Sequence, residues 1–400
     1  MTRTLVVVGH GMVGHRLVDR LRAMDGAGAW RVVVLAEERH PAYDRVALSS
    51  YLDGKSRDDL TLGGRDVFDG SRAELRLGCP AVSADRAART VTTAEGDEVA
   101  YDALVLATGS RPFVPPVPGH DLTGCFVYRT FDDLDAIRAA ARAGRPGVVI
   151  GGGLLGLEAA NALRLLGMRP HIVETAPHLM PAQLDAGAAQ VLHEQVTGLG
   201  LRLRCGTATA SVDARADRTV RGVTLSDGTR LETDLVVFAA GVRPRDDLAA
   251  AMGLERGERG GFAVDGHCRT RDERVWAIGE CASVQGRCHG LVAPGYRMAD
   301  TVADQLTGRG AAPFDGADTF TALKLFGVNV ATFGATRPAE DGALDVVFAE
   351  GTSHYAKVLL RPDTGVLLGG MLAGGTGCPR TLASFVGRQP PADLEQLLLS

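Results

Sequence analysis

The chain has 400 residues, a formal net charge of −5 and 45% hydrophobic residues, which fits two or three globular domains. No segment concentrates Lys and Arg on one face, so nucleic acid is not expected as a partner. Neither an apolar run of 18 residues nor a secretory segment is found, so no membrane association is expected. Seven cysteines without CxxC spacing are typical of a cytoplasmic protein, and no metal site is expected.

The first predicted elements are a buried strand over residues 4–8 and a helix over residues 12–24. Between them lies the fingerprint Gly9-x-Gly11-x-x-Gly14, which is typical of a turn that places a dinucleotide pyrophosphate at a helix N-terminus. The next strand, residues 31–35, ends before Glu37 and Glu38. A carboxylate there can accept hydrogen bonds from an adenosine ribose, and Glu37 is the first choice.

A strand over residues 101–107 runs into the small-residue turn Ala107-Thr108-Gly109 and then into a proline-rich connector. Prolines favour an extended, stiff segment, so the chain is predicted to leave its first domain here. A similar strand over residues 234–240 ends at Gly241. The segment between the two turns is therefore predicted to be an inserted domain.

The inserted segment repeats the first pattern. A strand over residues 147–150 precedes Gly151-x-Gly153-x-x-Gly156, and a helix continues to residue 166. The next strand ends in Glu174, eighteen residues after Gly156, close to the usual distance of a ribose-binding acid. A pair of such units predicts that two dinucleotides are held at once.

The remainder of the chain first returns to the initial pattern and then departs from it. A strand over residues 275–278 precedes Gly279 and Glu280, and a helix over residues 293–306 completes the first domain. Further on, a turn at residues 362–365 separates two apolar runs and indicates a hairpin. We predict an α/β fold with two Rossmann-like dinucleotide-binding domains, the second inserted in the first, plus a C-terminal α+β domain.

Specific motifs add a family resemblance. Together with the two glycine fingerprints, they cover residues 7–16, 42–46, 48–51, 125–130, 151–160 and 290–296. The chain resembles the pyridine nucleotide-disulfide oxidoreductase superfamily of two-dinucleotide flavoproteins. Within it, the chain is most similar to the N-terminal flavin module of NADH-dependent assimilatory nitrite reductase large subunits.

The resemblance implies a domain plan and the cofactors. It assigns residues 1–111 and 242–310 to an FAD-binding domain and residues 112–241 to an NAD-binding domain. Residues 311–400 would form a C-terminal α+β interface domain that lies against the flavin. NADH is expected rather than NADPH, because Glu174 would repel a 2′-phosphate; Arg202, Arg204 and Arg243 are cations that could still approach it.

The resemblance and the motifs together give the candidate site. The expected FAD contacts are Gly9, Gly11, Met12, Gly14, Glu37, Glu38, Arg45, Ser49, Val82, Ala107, Thr108, Gly109, Gly279, Glu280 and Pro294. The expected NAD contacts are Gly151, Gly153, Leu155, Gly156, Glu174 and Gly241.

Several roles have two interpretations. Arg45 would bind the pyrophosphate or be a surface arginine. Glu280 would accept hydrogen bonds from the ribityl chain, where the superfamily usually has Asp. Glu158 is a catalytic candidate beside the nicotinamide, or an acid stabilised by the helix dipole. Tyr296 is a second catalytic candidate that packs at the flavin ring, or part of the core.

Cysteine usage limits the chemistry. Only Cys378 follows residue 288, so no iron–sulfur cluster box is present there, and no cysteine pair for a disulfide relay lies on the first helix. The expected activity is electron transfer from NADH through FAD to a separate iron–sulfur or sirohaem partner in nitrite or nitrate assimilation. The alternatives are direct reduction of a small nitrogen-containing molecule, ferredoxin or rubredoxin reduction, and a nucleotide-sensing flavoprotein without catalysis. Residues 311–400, here called the tail, would control electron exit or form a homodimer interface.

Overall fold

The computed structural model describes residues 2–399 except 64, 69, 71, 311, 315, 317–319, 326–327, 338–341, 376–377 and 392–393. The elements up to the first connector are β1 Arg3–Val8, α1 Met12–Met24, β2 Trp30–Leu35, α2 Arg57–Leu60, β3 Ala73–Arg76, β4 Ala81–Asp85, β5 Thr90–Thr93, β6 Glu98–Ala100, β7 Ala103–Leu106 and β8 Ser110–Pro112. The next are β9 Cys125–Val127, α3 Phe131–Ala140, β10 Pro146–Ile150, α4 Leu154–Leu165, β11 Arg169–Glu174, α5 Ala186–Gly198, β12 Arg202–Cys205, β13 Thr209–Ala214, β14 Val220–Leu225, β15 Arg230–Glu232 and β16 Val236–Phe238.

The chain continues with β17 Val242–Pro244, α6 Leu248–Met252, β18 Phe262–Val264, β19 Val275–Ala277, β20 Ala282–Val284, β21 Arg287–Cys288 and α7 Val292–Leu306. The final elements are β22 Thr321–Leu325, β23 Val328–Gly334, β24 Leu344–Glu350, β25 His354–Leu360, β26 Leu367–Gly374, α8 Pro379–Ser384 and α9 Leu394–Leu399. Short 3-10 turns lie at Leu48–Tyr51, Arg65–Phe68 and Gly279–Cys281.

Contacts group the chain into two compact units. Unit 1 contains Met1–Tyr51, Lys55–Arg111 and Val242–Ala317, and unit 2 contains Leu52–Gly54, Pro112–Gly241 and Asp318–Ser400. From residue 318 onward, the tail therefore falls in the same unit as the inserted segment. The assignment of three domains with separate cofactor roles stays a prediction, and residues 1, 311 and 400, which bound those domains, lie outside the described residues.

Unit 1 is built on a parallel sheet of order β19-β7-β1-β2-β3. Its central strands are runs of Val and Leu that are buried on both faces, as expected for a parallel sheet covered by helices. Val8, the last residue of β1, is in register with Leu35 and with Leu106. The first fingerprint, Ala36 and Ala107 therefore meet at one carboxyl edge of this sheet.

Unit 2 repeats this plan with the order β12-β11-β10-β16-β9. Ile150 at the end of β10 is in register with Val173 and with Phe238, so the second fingerprint also lies at a carboxyl edge. An antiparallel sheet of β13, β14 and β15 supplies Val223, Leu225 and Leu231 to the same core.

The tail is an antiparallel sheet of order β22-β23-β26-β25-β24 with the short helices α8 and α9. The predicted hairpin is confirmed, because β25 and β26 pair antiparallel on either side of residues 361–366. The Tyr355 hydroxyl donates to Asp185, the N-cap of α5, at 2.9 Å, and the Lys357 Nζ lies 2.7 Å from Asp345. The tail sheet thus packs on a helix of the inserted segment, and the expected contact with flavin stays a prediction.

The fold class expected from the sequence is confirmed. The predicted strands and helices around both fingerprints agree with the observed bounds within two residues. Within the described part of the chain, none of the helices has the length and apolar character needed to cross a membrane.

Candidate functional site

The outer glycines of each fingerprint are required by the protein's own backbone. Gly9 has a φ of +107°, and a Cβ there would overlap the carbonyl group of Ala107. A Cβ on Gly14 would overlap the carbonyl oxygen of Gly9. The equivalent positions Gly151 and Gly156 are constrained in the same way within unit 2. These four glycines let each helix start close against its sheet.

The middle glycine of each fingerprint is not required by contacts with the protein's own backbone. A Cβ on Gly11 or on Gly153 would meet no described atom within 4 Å. Both residues have ordinary extended backbone, with φ of −86° and −79°. A Cβ would fit the fold at either position, so the bare backbone there leaves open space where a ligand can approach.

Helix capping gives a second, independent observation. The N-caps of α3 and α5, Thr130 and Asp185, each accept a backbone hydrogen bond through their side chains. Helices α1 and α4 have Gly11 and Gly153 as their N-cap residues, with no side-chain cap and no acidic residue in the first turn. Their partial positive charge and first-turn N–H groups suit a bound pyrophosphate.

The residue between the first two glycines differs between the fingerprints. In unit 1 it is His10, whose buried ring accepts a hydrogen bond from the Ala42 N–H at 3.2 Å through Nδ1. Burial, and secondarily the nearby His15, lowers the pKa of His10 to about 3. The neutral ring then carries its proton on Nε2, which has no hydrogen-bond partner among the described residues.

In unit 2 the corresponding residue is Gly152, and a carboxylate fills the space beside it. Glu174 is buried and accepts hydrogen bonds from the N–H groups of Gly152 at 2.6 Å and Ala176 at 2.8 Å. The Thr175 hydroxyl donates to the same carboxylate at 3.1 Å. The predicted ribose acid is therefore fixed at the carboxyl edge by its own loop.

The two acids predicted for the first site have separate partners. Glu37 is half-exposed and pairs with the two terminal guanidinium nitrogens of Arg245. Arg245 is held there because its N–H donates to the Gly109 carbonyl and its own carbonyl accepts from the Thr108 hydroxyl. The turn at residues 107–109 thus places a cation opposite the acid, and the ribose role of Glu37 stays a prediction.

Glu38 pairs with Arg45, the candidate for the pyrophosphate. The Arg45 Nη2 lies 2.6 Å from Glu38, and the guanidinium stacks 4.8 Å from the Tyr43 ring. Burial opposes its charge, but Tyr43, Glu38 and Glu280 together raise the pKa of Arg45. The fold therefore places Arg45 and Glu280 within electrostatic reach of each other across 235 residues of sequence, and Arg45 is largely buried rather than a surface arginine.

The late strand and α7 complete the arrangement in unit 1. Glu280 accepts a hydrogen bond from the Ser110 hydroxyl at 2.8 Å. Gly279 has a φ of +77°, and a Cβ on Gly295 would lie 2.5 Å from Val13. These contacts pack the start of α7, with the buried Pro294, against the start of α1.

Tyr296 follows on α7 and is half-buried, with the Arg16 guanidinium 5.9 Å from its ring. Burial, and to a lesser extent Asp44, raises the pKa of Tyr296, so its hydroxyl stays protonated at neutral pH. A protonated phenol is no ready base, and the packing of Tyr296 at a flavin ring stays a prediction.

The other predicted contacts vary in exposure. Met12, Ser49, Leu155 and Glu158 are half-buried, Gly241 is exposed, and the Val82 side chain is 55% exposed. Their ligand contacts stay predictions. Sequence reasoning missed His10, Tyr43, Ser110, Gly152, Ala239 and Arg245. For His10 and Gly152 the position inside the fingerprint was a usable signal, whereas Arg245 carries no motif of its own.

Comparison with known proteins decides the family. The model of the pyridine nucleotide-disulphide oxidoreductase family matches residues 3–302. The chain belongs to this family. Its members are FAD- and NAD(P)H-dependent oxidoreductases, and the open middle glycines and uncapped helices of both units fit two such dinucleotides.

Individual relatives carry more specific names. The chain is 49% identical to the large subunit of a nitrite reductase [NAD(P)H] from Klebsiella oxytoca, over 99% of this chain and 41% of the relative. It is 34% identical to an assimilatory nitrate reductase electron transfer subunit from Bacillus subtilis, over 92% of this chain and 47% of that protein. The chain thus spans less than half the length of either relative.

Among solved structures, a ferredoxin reductase from Rhodopseudomonas palustris matches with a TM-score of 0.83 and 29% identity. The match covers 93% of this chain and 91% of the reductase.

Proposed function

We propose that this chain transfers electrons from NADH, through FAD, to a separate redox protein of nitrite or nitrate assimilation. The observation that carries the proposal is the pair of open, uncapped fingerprints, one in each unit. The names of the nitrite reductase and electron transfer relatives support the metabolic setting. The ferredoxin reductase likeness supports a protein acceptor.

Unit 1 is the proposed FAD site. Gly11 and the start of α1 would hold the pyrophosphate, with Arg45 as a further cation. Glu280 would accept hydrogen bonds from the ribityl hydroxyls, since a carboxylate offers about four acceptor positions. When bound, FAD accepts two electrons as hydride from NADH and releases them singly. The packed start of α7, with Pro294 and Tyr296, would exclude water from that exchange.

Unit 2 is the proposed NADH site. Gly153 would accommodate the pyrophosphate, and Glu158 would help to orient the nicotinamide. Glu174 would accept a hydrogen bond from the 2′-hydroxyl of the ribose and would repel a 2′-phosphate. Steady-state kinetics of the wild type and Glu174→Ala with both nucleotides test this preference. Equal catalytic efficiency of the wild type with NADPH would contradict it.

The central experiment is an anaerobic titration of the FAD-loaded protein with NADH, followed by addition of acceptors. NADH is expected to bleach the flavin absorbance, and turnover is expected to become fast only with an iron–sulfur or sirohaem protein. Gly153→Val is the matched variant that should retain FAD and lose bleaching by NADH. Wild-type protein that binds FAD and NADH without bleaching would instead be a nucleotide-sensing flavoprotein.

The acceptor is tested in the same assay. Nitro, nitroso or N-oxide compounds are compared with the redox proteins at the same NADH concentration. Fast turnover only with such a small molecule would overturn the protein-acceptor proposal and leave the NADH and FAD assignments intact.

A further inference from the structure

A basic cleft in unit 2 has no role in the proposed electron transfer. It has a volume of about 310 Å³ and is lined by Pro146, Arg169, His171, Arg202, Arg204, Arg230, Leu231 and Glu232. Its lining residues come from β10, β11 and β12 of the parallel sheet and from β15 of the antiparallel sheet. Four guanidinium groups from three strands therefore converge on one concavity of small-ligand size.

The charge in this cleft is not neutralised by the protein. None of its four arginines forms an ion pair or a side-chain hydrogen bond with the residues that the structure describes. Glu232 is the single carboxylate of the lining, and Asp227 lies near enough to Arg204 to interact electrostatically. A positive excess remains, although the whole chain carries a net charge of −5.

His171 lies in this positively charged cleft. Its Nδ1 is buried and has no hydrogen-bond partner in the described part of the chain. Burial lowers the pKa of His171, and the charges of Arg202, Arg204 and Arg169 lower it further. The imidazole beside these cations therefore stays neutral at neutral pH and adds no positive charge of its own to the cleft.

The base of the cleft lies away from the nucleotide edge of the sheet. Pro146 and Arg169 begin β10 and β11, whereas Gly151 follows β10 and Glu174 ends β11. Five residues of strand separate the two positions, a distance of about 16 Å. Arg204 lies nearer that edge, in register with Val173, but Pro146 and Arg169 lie outside the carboxyl ends where dinucleotides bind.

We propose that the cleft binds the phosphate group of a small, multiply charged anion. A phosphate carries up to two charges and three acceptor oxygens, which suits forked guanidinium donors from several directions. The concave shape and small volume favour a small molecule over the flat acidic face of a protein. The cleft would therefore give this reductase an anion site separate from its cofactors.

The test uses the full chain loaded with FAD and saturated with NAD⁺, so that both fingerprints are occupied. Isothermal titration with inorganic pyrophosphate is expected to show one site. The double variant Arg169→Gln/Arg202→Gln should weaken binding roughly a hundredfold, about tenfold for each charged hydrogen-bond donor. The matched control is Arg221→Gln, an exposed arginine outside the cleft lining, which should leave the affinity unchanged.

A second variant acts in the opposite direction. Glu232→Gln removes the like charge from the cleft and should strengthen pyrophosphate binding several-fold, which a merely unfolded variant would not do. Absence of binding, an unchanged affinity in the double variant, or preference for citrate over pyrophosphate would overturn the proposal. A changed KM for NADPH in the double variant would also overturn it, because the arginines would then serve the nucleotide site.

Discussion

The two fingerprints have the same backbone contacts at their glycines, but different side chains lie beside the residue between the first two glycines. In both, the outer glycines face the protein's own carbonyl groups and the middle glycine faces open space. In unit 1 the intervening residue is the imidazole of His10, and the acid Glu37 lies on the surface with Arg245. In unit 2 the intervening residue is Gly152, and the buried Glu174 binds its N–H.

The acid of unit 1 is held by a residue distant in sequence, whereas the acid of unit 2 is held by its own loop. The partner of Glu37 comes from the segment that returns after the insertion, 208 residues along the chain. Glu174 finds its partners within 22 residues, in its own strand-turn-helix unit. Substitutions at Glu37 therefore test the contact between the two stretches of unit 1 that lie before and after the insertion. Substitutions at Glu174 test the hydrogen bonds of a single loop.

The largest expected effect is on stability, and it should occur at the outer glycines but not at the middle ones. Gly14→Ala should lower the free energy of unfolding by roughly 3 kcal/mol, because the new Cβ would overlap the backbone of Gly9. Gly11→Ala is the control and should change it by less than about 1 kcal/mol. Denaturant unfolding of the cofactor-free proteins measures both. Equal losses in the two variants would contradict the distinction.

The middle glycines should instead control the ligands. Valine is compatible with the extended backbone at Gly11 and Gly153, so Gly11→Val and Gly153→Val should fold normally. Gly11→Val should weaken FAD binding about a hundredfold or more, and Gly153→Val should do the same for NADH. Flavin absorbance after reconstitution and NADH fluorescence titration measure the losses. Retention of both ligands by both variants would remove the basis for the cofactor assignments.

His10 should give unit 1 a pH dependence that Gly152 does not give unit 2. Its native pKa of about 3 lies below its ordinary value of 6.5, so between these values the unfolded chain binds a proton that the folded chain does not. Stability should therefore fall as the pH is lowered through this window, by up to about 1.4 kcal/mol per pH unit. His10→Asn keeps an acceptor for the Ala42 N–H and should flatten the slope. The free energy of unfolding of both proteins is measured at pH 7, 6 and 5. The same pH dependence in the variant and the wild type would refute this prediction.

The smallest effect compares the two acids. Glu174→Ala leaves the N–H groups of Gly152 and Ala176 without an acceptor inside the protein and should cost about 2 kcal/mol of stability. Glu37→Ala removes a surface ion pair with Arg245 and should cost less than about 1 kcal/mol. Thermal unfolding of both variants, with Glu174→Gln as the conservative control, measures the difference. A larger loss for Glu37→Ala would reverse the assignment of the local and the discontinuous site.

The sequence was most informative where structure depends on neighbouring residues. Helix α1 was predicted with its observed bounds, because the apolar spacing after Gly11 is helical and the preceding strand is a run of Val. The turns after β7 and β16 were found from their small residues. The packing of Tyr355 on Asp185 was not predicted, because no local pattern links residues 170 positions apart.

In the candidate site, too, features set by neighbouring residues were predicted and contacts between distant residues were not. Fingerprint glycines and strand-end acids follow from spacing, since their geometry is set within one strand-turn-helix unit. The sequence does not predict the pairing of Glu38 with Arg45, because an ion pair depends on how the intervening loop folds. The partners Arg245 and Ser110 had no motif.

The sequence by itself determined where the chain turns, which strands are buried and that two dinucleotide units are present. These features depend on glycine's missing Cβ and on hydrophobic periodicity, both of which act over a few residues. Tertiary structure alone decided that Glu37 faces Arg245, that Arg45 lies near Glu280 and that four arginines line one cleft with His171. Charged side chains have no periodic signature, and their partners are set by which distant strands the folded sheets bring side by side.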